Sequence, residues 1–209
     1  MPEKIDLKTL EKRIWRFTYQ DGLWDIFFGL LILGYAFLFL IDESGLGDSF
    51  SLMIFLICWN SVPIVILSLG KKYLIPKRVG LVRFGLKRQK NKKRLVYFLV
   101  ANAVIGLILM ILTPLALSHI IVLEGLLVPL FIGLVFISLP LCILAFFLDY
   151  RRLYIYALAF GLGFTFTKVL FPLVGTLMDF IISLGLPGAI VTFLGFYFLI
   201  SFLKKYPKE

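Results

Sequence analysis

Apolar residues run along this chain in long blocks rather than in the alternation of a half-buried strand. About 20 apolar residues cross roughly 30 Å of hydrocarbon. Blocks of that length lie at residues 23–41, 49–69, 95–114, 126–148, 153–171 and 176–203. Each is nearly free of charge, so each predicts a membrane-spanning helix. Most polar breaks between blocks are short, such as Asp-Glu-Ser-Gly-Leu-Gly-Asp at 42–48, but the break at 70–94 is long. Pro129 and Pro140 lie in the fourth block, and the sixth carries Leu-Pro-Gly at 186–188. The stretch 172–188 therefore reads as a re-entrant piece or as the start of one long, kinked sixth span. The predicted fold is all-α: a polytopic transmembrane helix bundle of about six spans.

The first 20 residues are patterned differently. Leu7, Leu10, Ile14 and Phe17 recur at helical spacing, with Lys8, Lys12, Arg13 and Arg16 mostly elsewhere around the wheel. Such a pattern predicts an N-terminal amphipathic helix lying in the headgroup plane, with Pro2 in its first turn. A cytosolic helix packed on the basic loop is the alternative. No cleavable signal peptide is expected, because the first apolar block starts only at Leu23, after a charged stretch. The chain thus divides into an interfacial helix (1–20), a transmembrane hairpin (21–69), a basic cytoplasmic loop (70–94) and a bundle of spans three to six (95–209).

Composition supports the membrane class. Of the 209 residues 61% are hydrophobic and only 16% are charged, against about 25% charged in soluble domains. Charge then orients the spans. If they alternate, 21 of the 22 Lys and Arg fall on one face, and only Lys168 on the other. Cytoplasmic loops carry that excess, so both termini are expected in the cytoplasm and the protein in the cell membrane. Residues 71–94 hold eleven cations and no acid. Each cation near an anionic leaflet contributes about 1 kcal/mol, so the predicted partners are membrane lipids with anionic headgroups. Nucleic acid is not expected, since Tyr73 and Phe84 are the loop's only stacking aromatics. A protein partner or a second copy of the chain stays open. Within the loop, Pro76 and Gly80 suggest a defined turn, and Val82, Phe84 and Leu86 alternate as a short strand would.

Candidate site residues are few. Asp21 and Asp25 stand one helical turn apart. They read either as a carboxylate pair for cations or for Arg78 and Arg83, or with Asp21 simply capping the helix. Asn60 and Asn102 are intramembrane amides, either interhelical glue or the lining of a solute path. Lys168 and Asp179 read as an ion pair across a tight turn, or with Lys168 snorkelling. Small residues recur at Gly29, Gly34, Gly106, Gly161, Gly163, Gly185 and Gly188, and the Gly-x-Gly at 161–163 suggests close helix packing. Gly-Leu pairs start at 29, 106 and 161, and in so biased a composition no internal repeat is built on them.

Here "DGLWDIFFGL" and "YLIPKRVGLVRF" resemble a pattern in small uncharacterised prokaryotic integral membrane proteins. Those combine an acidic-Gly-aromatic entry to the first span with a Pro-basic-x-Gly-x-Val loop. The resemblance covers about the first 90 residues and implies no activity. It implies only that Asp21, Gly22, Asp25, Pro76, Arg78 and Gly80 are worth mutating.

Known chemistry is sparse. His119 is the single histidine, and a zinc site generally needs three or four ligands, so no metal and no cofactor is expected. Cys58 and Cys142 sit inside apolar runs. No nucleophile–base, phosphate-loop or metalloprotease motif occurs, so no catalytic residue is assigned and an enzyme is not expected. The leading expectation is a transport-related protein, either a small permease or the membrane subunit of a transporter. The alternative is a non-catalytic scaffold or regulatory protein that binds anionic lipid or a partner through its basic loop.

Overall fold

The computed structural model describes residues 19–43, 49–74 and 126–206, with scattered positions between 93 and 104. Every regular element among them is helical. Helix α1 is Leu23–Glu43, and α2 is Ser49–Leu69, which widens into a π turn at Gly70–Leu74. Helix α3 (Leu127–Ile132) runs through a π turn at Gly133–Ser138 into α4 (Leu139–Leu148). Next come α5 (Arg152–Val174), α6 (Thr176–Phe180), a third π turn (Ile181–Gly185) and α7 (Leu186–Lys205).

Among the described residues, four helical rods are long and apolar enough to cross a membrane: Phe50–Leu74, Pro129–Leu148, Arg152–Val174 and Met178–Lys205. The first apolar block is helical too. Of the two readings of 172–188, the structure has the single rod, because the helix continues unbroken from Thr176 to Lys205. The break lies earlier, at Gly175, whose φ of +83° and ψ of 168° suit glycine almost alone. The 1–20 helix, most of the third block and most of the basic loop fall outside the described residues.

The outer surfaces fit lipid better than water. Phe50, Phe146, Leu173 and Phe193 are each 71–76% exposed, far more large apolar surface than a water-soluble monomer presents.

Two π turns have a shared cause. Pro140 and Pro187 each stand two residues beyond one. Proline lacks an N–H, and its ring crowds the carbonyl four residues back. One widened turn moves that carbonyl aside and keeps the rod continuous.

The chain forms two compact units. In the unit of residues 83–165, α4 ends with Asp149 in the left-handed region at φ 54°. Tyr150 N donates to Ala145 O at 3.0 Å and Asp149 N to Phe146 O at 3.3 Å, the paired bonds of a Schellman end. Gly133 and Gly161 meet backbone to backbone: a Cβ on Gly161 would lie 2.7 Å from Gly133 O. Beside them Ser138 Oγ donates to Ala157 O at 2.8 Å, tying the π turn to α5.

In the other unit, Met1–Val82 with Phe166–Glu209, α1 is the central rod. It lies on α7 through small residues. A Cβ on Gly195 would stand 2.6 Å from Ile26 N, one on Gly22 2.6 Å from Leu199 N, and one on Gly188 3.0 Å from Leu33 N. Helix α2 joins α1 differently. The Trp59 indole fills the space left by Gly34 and donates to Leu30 O at 2.8 Å. Lipid competes well with apolar side chains for helix surfaces, so close backbone approach and interhelical hydrogen bonds hold such rods together.

Gly195→Val is therefore expected to cost about 3 kcal/mol, because the clash is with backbone that cannot rotate away. Phe193→Ala, on the exposed side of the same turn, should change stability by under about 0.5 kcal/mol. Thermal midpoints of the two variants in detergent measure the difference.

Candidate functional site: a buried ion pair at the entry to α1

The chain reaches α1 through Asp21 and Gly22. Gly22 adopts φ +84°, open to glycine because it has no Cβ, and its carbonyl accepts the first helical bond from Ile26 N at 3.0 Å. With the backbone turned this way, Asp21 Oδ1 accepts from Leu23 N at 3.1 Å. That is the aspartate turn bond two residues on, and it satisfies a donor which the first helical turn leaves open.

The other carboxylate oxygen, Oδ2, accepts from Lys71 Nζ in the π turn after α2. Asp21 is 1% exposed, while the Lys71 side chain keeps 24% of its surface. The Lys71 ammonium also lies 5.7 Å from the Tyr19 ring centroid, within cation–π range. Tyr19 in turn packs on Trp24 at 5.8 Å, and Trp24 stacks on Phe28. One lysine thus ties the end of α2 to the start of α1. Burial pushes the Asp21 carboxyl above its ordinary range, while Lys71 pulls it back.

Asp25, one turn on, is fully buried. Its helical turn lies against α7: a Cβ on Gly195 would lie 3.0 Å from the Asp25 carbonyl carbon. Both carboxylates are buried at the entry to α1, although Asp21 stands before its first residue. The cation that Asp21 meets, however, is Lys71. Arg78, Arg83, Pro76 and Gly80 lie outside the described residues, as do Asn102 and His119.

The remaining candidates are dispersed. Asn60 Nδ2 donates to Leu56 O at 2.7 Å, inside its own helix. This bond ties the amide to the carbonyl one turn back on its own helix. Asp179 is buried, with Oδ1 accepting from Phe180 N at 2.6 Å and its backbone carbonyl accepting the Ser183 hydroxyl. Lys168 is exposed, and no ion pair joins it to Asp179 among the described residues. Among those residues no group of three or more His, Cys, Asp or Glu is placed to hold a metal. Sequence reasoning missed Lys71 as a site residue. Its signal was present: it is the first cation after the second apolar block, at the level where a helical hairpin returns to its entry residue.

Asp21→Asn keeps the turn bond but leaves the Lys71 ammonium without its counter-charge. Breaking a fully buried pair costs about 3–5 kcal/mol. Because Lys71 can extend toward water, about 1–2 kcal/mol is expected here. Asp21→Asn/Lys71→Met should regain most of that loss. Unfolding midpoints of the single and double variants test the coupling, and simple additivity would contradict it. No known family, curated protein or solved structure matches this chain.

Proposed function

We propose that this is a six-span protein of the cell membrane with both termini in the cytoplasm, acting as a scaffold or regulator whose cation-rich face holds anionic lipid. The carrying observation is the convergence at one edge of the start of α1, the end of α2 and the end of α7. Gly22 packs on Leu199, Gly70 on Leu23, and Lys71 on Asp21. The first and last rods lying side by side with opposite ends together favours an even number of spans. Lys71 and Lys72 end the second rod there, and Lys204 and Lys205 end α7 just past the contact. Cations grouped where spans end suit an anionic leaflet.

A transport-related role, as a small permease or a transporter's membrane subunit, is the second reading. The widened turns before Pro140 and Pro187 favour it, since they release backbone carbonyls within two spans. Against it stand the Asn60 amide, bonded within its own helix, and grooves among the described residues with apolar linings.

In a cysteine-free background, Gln20→Cys and Lys205→Cys should react with an impermeant thiol reagent from one side of sealed vesicles, and Glu124→Cys from the other. Reaction of Gln20→Cys and Lys205→Cys from opposite sides would overturn the topology. The unfolding midpoint should be higher in bilayers with anionic lipid than in zwitterionic ones, and the gap should shrink with salt. Equal midpoints at low salt would overturn the lipid-binding role.

A further inference from the structure

The edge that gathers the cations also carries a groove. Leu23 and Ile26 of α1, Ile66 and Leu69 of α2, and Phe196 and Leu199 of α7 line it, around a volume of about 460 Å³. That lies within the roughly 300–1,000 Å³ of small-molecule sites. The walls are apolar, and Tyr73 of the π turn, also part of the lining, brings the one side-chain polar group. A solute that needs several hydrogen bonds finds little to bind here, whereas an alkyl chain meets carbon along the walls of the groove.

The charge at the mouth narrows the occupant further. Lys71 is engaged by Asp21, and it is Lys72 that stands exposed beside the groove. Its ammonium lies 5.3 Å from the centroid of the Tyr73 ring. The rim therefore offers a cation and a phenol above an apolar slot, matching a phosphate and an ester-linked tail joined in one molecule. A second groove, of about 290 Å³, lies between α1 and the Ile181–Gly185 turn, and none of its lining residues is charged.

We infer that the groove between α1, α2 and α7 is a specific site for one anionic phospholipid, with an acyl chain on Leu23, Ile66 and Leu199 and the phosphate against Lys72. This rests on the reading that the basic edge faces lipid headgroups, and it adds that one lipid is held at a defined place. The widened turn is what builds the site. It carries Gly70 onto Leu23, where a Cβ would lie 2.7 Å from Cδ1, and sets Lys71 and Lys72 to different tasks.

The test is native mass spectrometry of the full chain in detergent, titrated with phosphatidylglycerol and, separately, with phosphatidylcholine. The first phosphatidylglycerol should bind more tightly than the first phosphatidylcholine. Lys72→Gln should weaken that first phosphatidylglycerol about fivefold, the worth of one cation near the headgroup. Ile66→Trp, which fills the slot, should weaken both lipids. Lys93→Gln/Arg94→Gln, in the basic loop, should leave first-lipid binding unchanged. If Lys72→Gln binds like wild type while the loop variant loses the preference, the groove is overturned and the wider lipid-binding reading stands. If wild type shows no preference for phosphatidylglycerol, both are overturned. Lys72 is exposed, so its variant decides the question even if Ile66→Trp does not fold.

Discussion

Lipid tails compete with apolar side chains for the same helix surfaces, so what holds α1 against α7 is the lack of side chains at Gly22, Gly29, Gly188 and Gly195. Each of those positions lets backbone meet backbone or the Thr192 side chain. Dispersion energy falls steeply with a gap of even half an ångström, so every added carbon would be felt along the rod. The remaining features of this unit follow from that approach. With α7 drawn onto the first turn of α1, Asp21 and Asp25 are covered, and α2 packs on a neighbouring face of α1 through Trp59.

Covering a carboxylate creates a need that the chain meets locally. Asp21 takes a backbone N–H from Leu23 and an ammonium from Lys71, so both oxygens are engaged. A buried ion pair is a poor source of stability against an apolar alternative. Its physical consequence here is geometric, since only one register of α2 on α1 brings Lys71 to Asp21. The π turn at Gly70–Leu74 matters for the same reason. Lys71 turns inward to the carboxylate while its neighbour Lys72 stays at the surface, which separates a structural cation from one available to a ligand.

Much of this architecture was legible beforehand because a span is a statement about one helix and its solvent. Length and near-freedom from charge at 49–69, 126–148, 153–171 and 176–203 suffice to predict apolar rods, whatever they touch. Glycine spacing announced close packing for a similar reason: a residue without a side chain in a costly solvent for bare backbone needs a tight neighbour. The polar residues were harder. Asn60 read as interhelical glue or as the lining of a solute path, and spacing alone did not show that it reaches the carbonyl one turn back. Asp21 read as a helix cap or as a partner for Arg78 and Arg83, and it does accept from Leu23 N. Lys71, the first lysine after the hairpin, is a partner that charge counting passed over.

By itself, then, the sequence determined the all-helical class, the lengths of the rods, their apolar surfaces and the lopsided distribution of charge. These depend on residue type and spacing along one chain, which partners do not alter. Which small residues met which was decided only by tertiary structure, as were the union of Asp21 with Lys71 and the groove beneath Lys72 and Tyr73. Those outcomes hang on the register between rods, and a shift of one helical turn moves a side chain by about 5.4 Å. The widened turns at Gly70–Leu74 and Ile181–Gly185 set part of that register, and their positions relative to α1 exist only once the helices have packed.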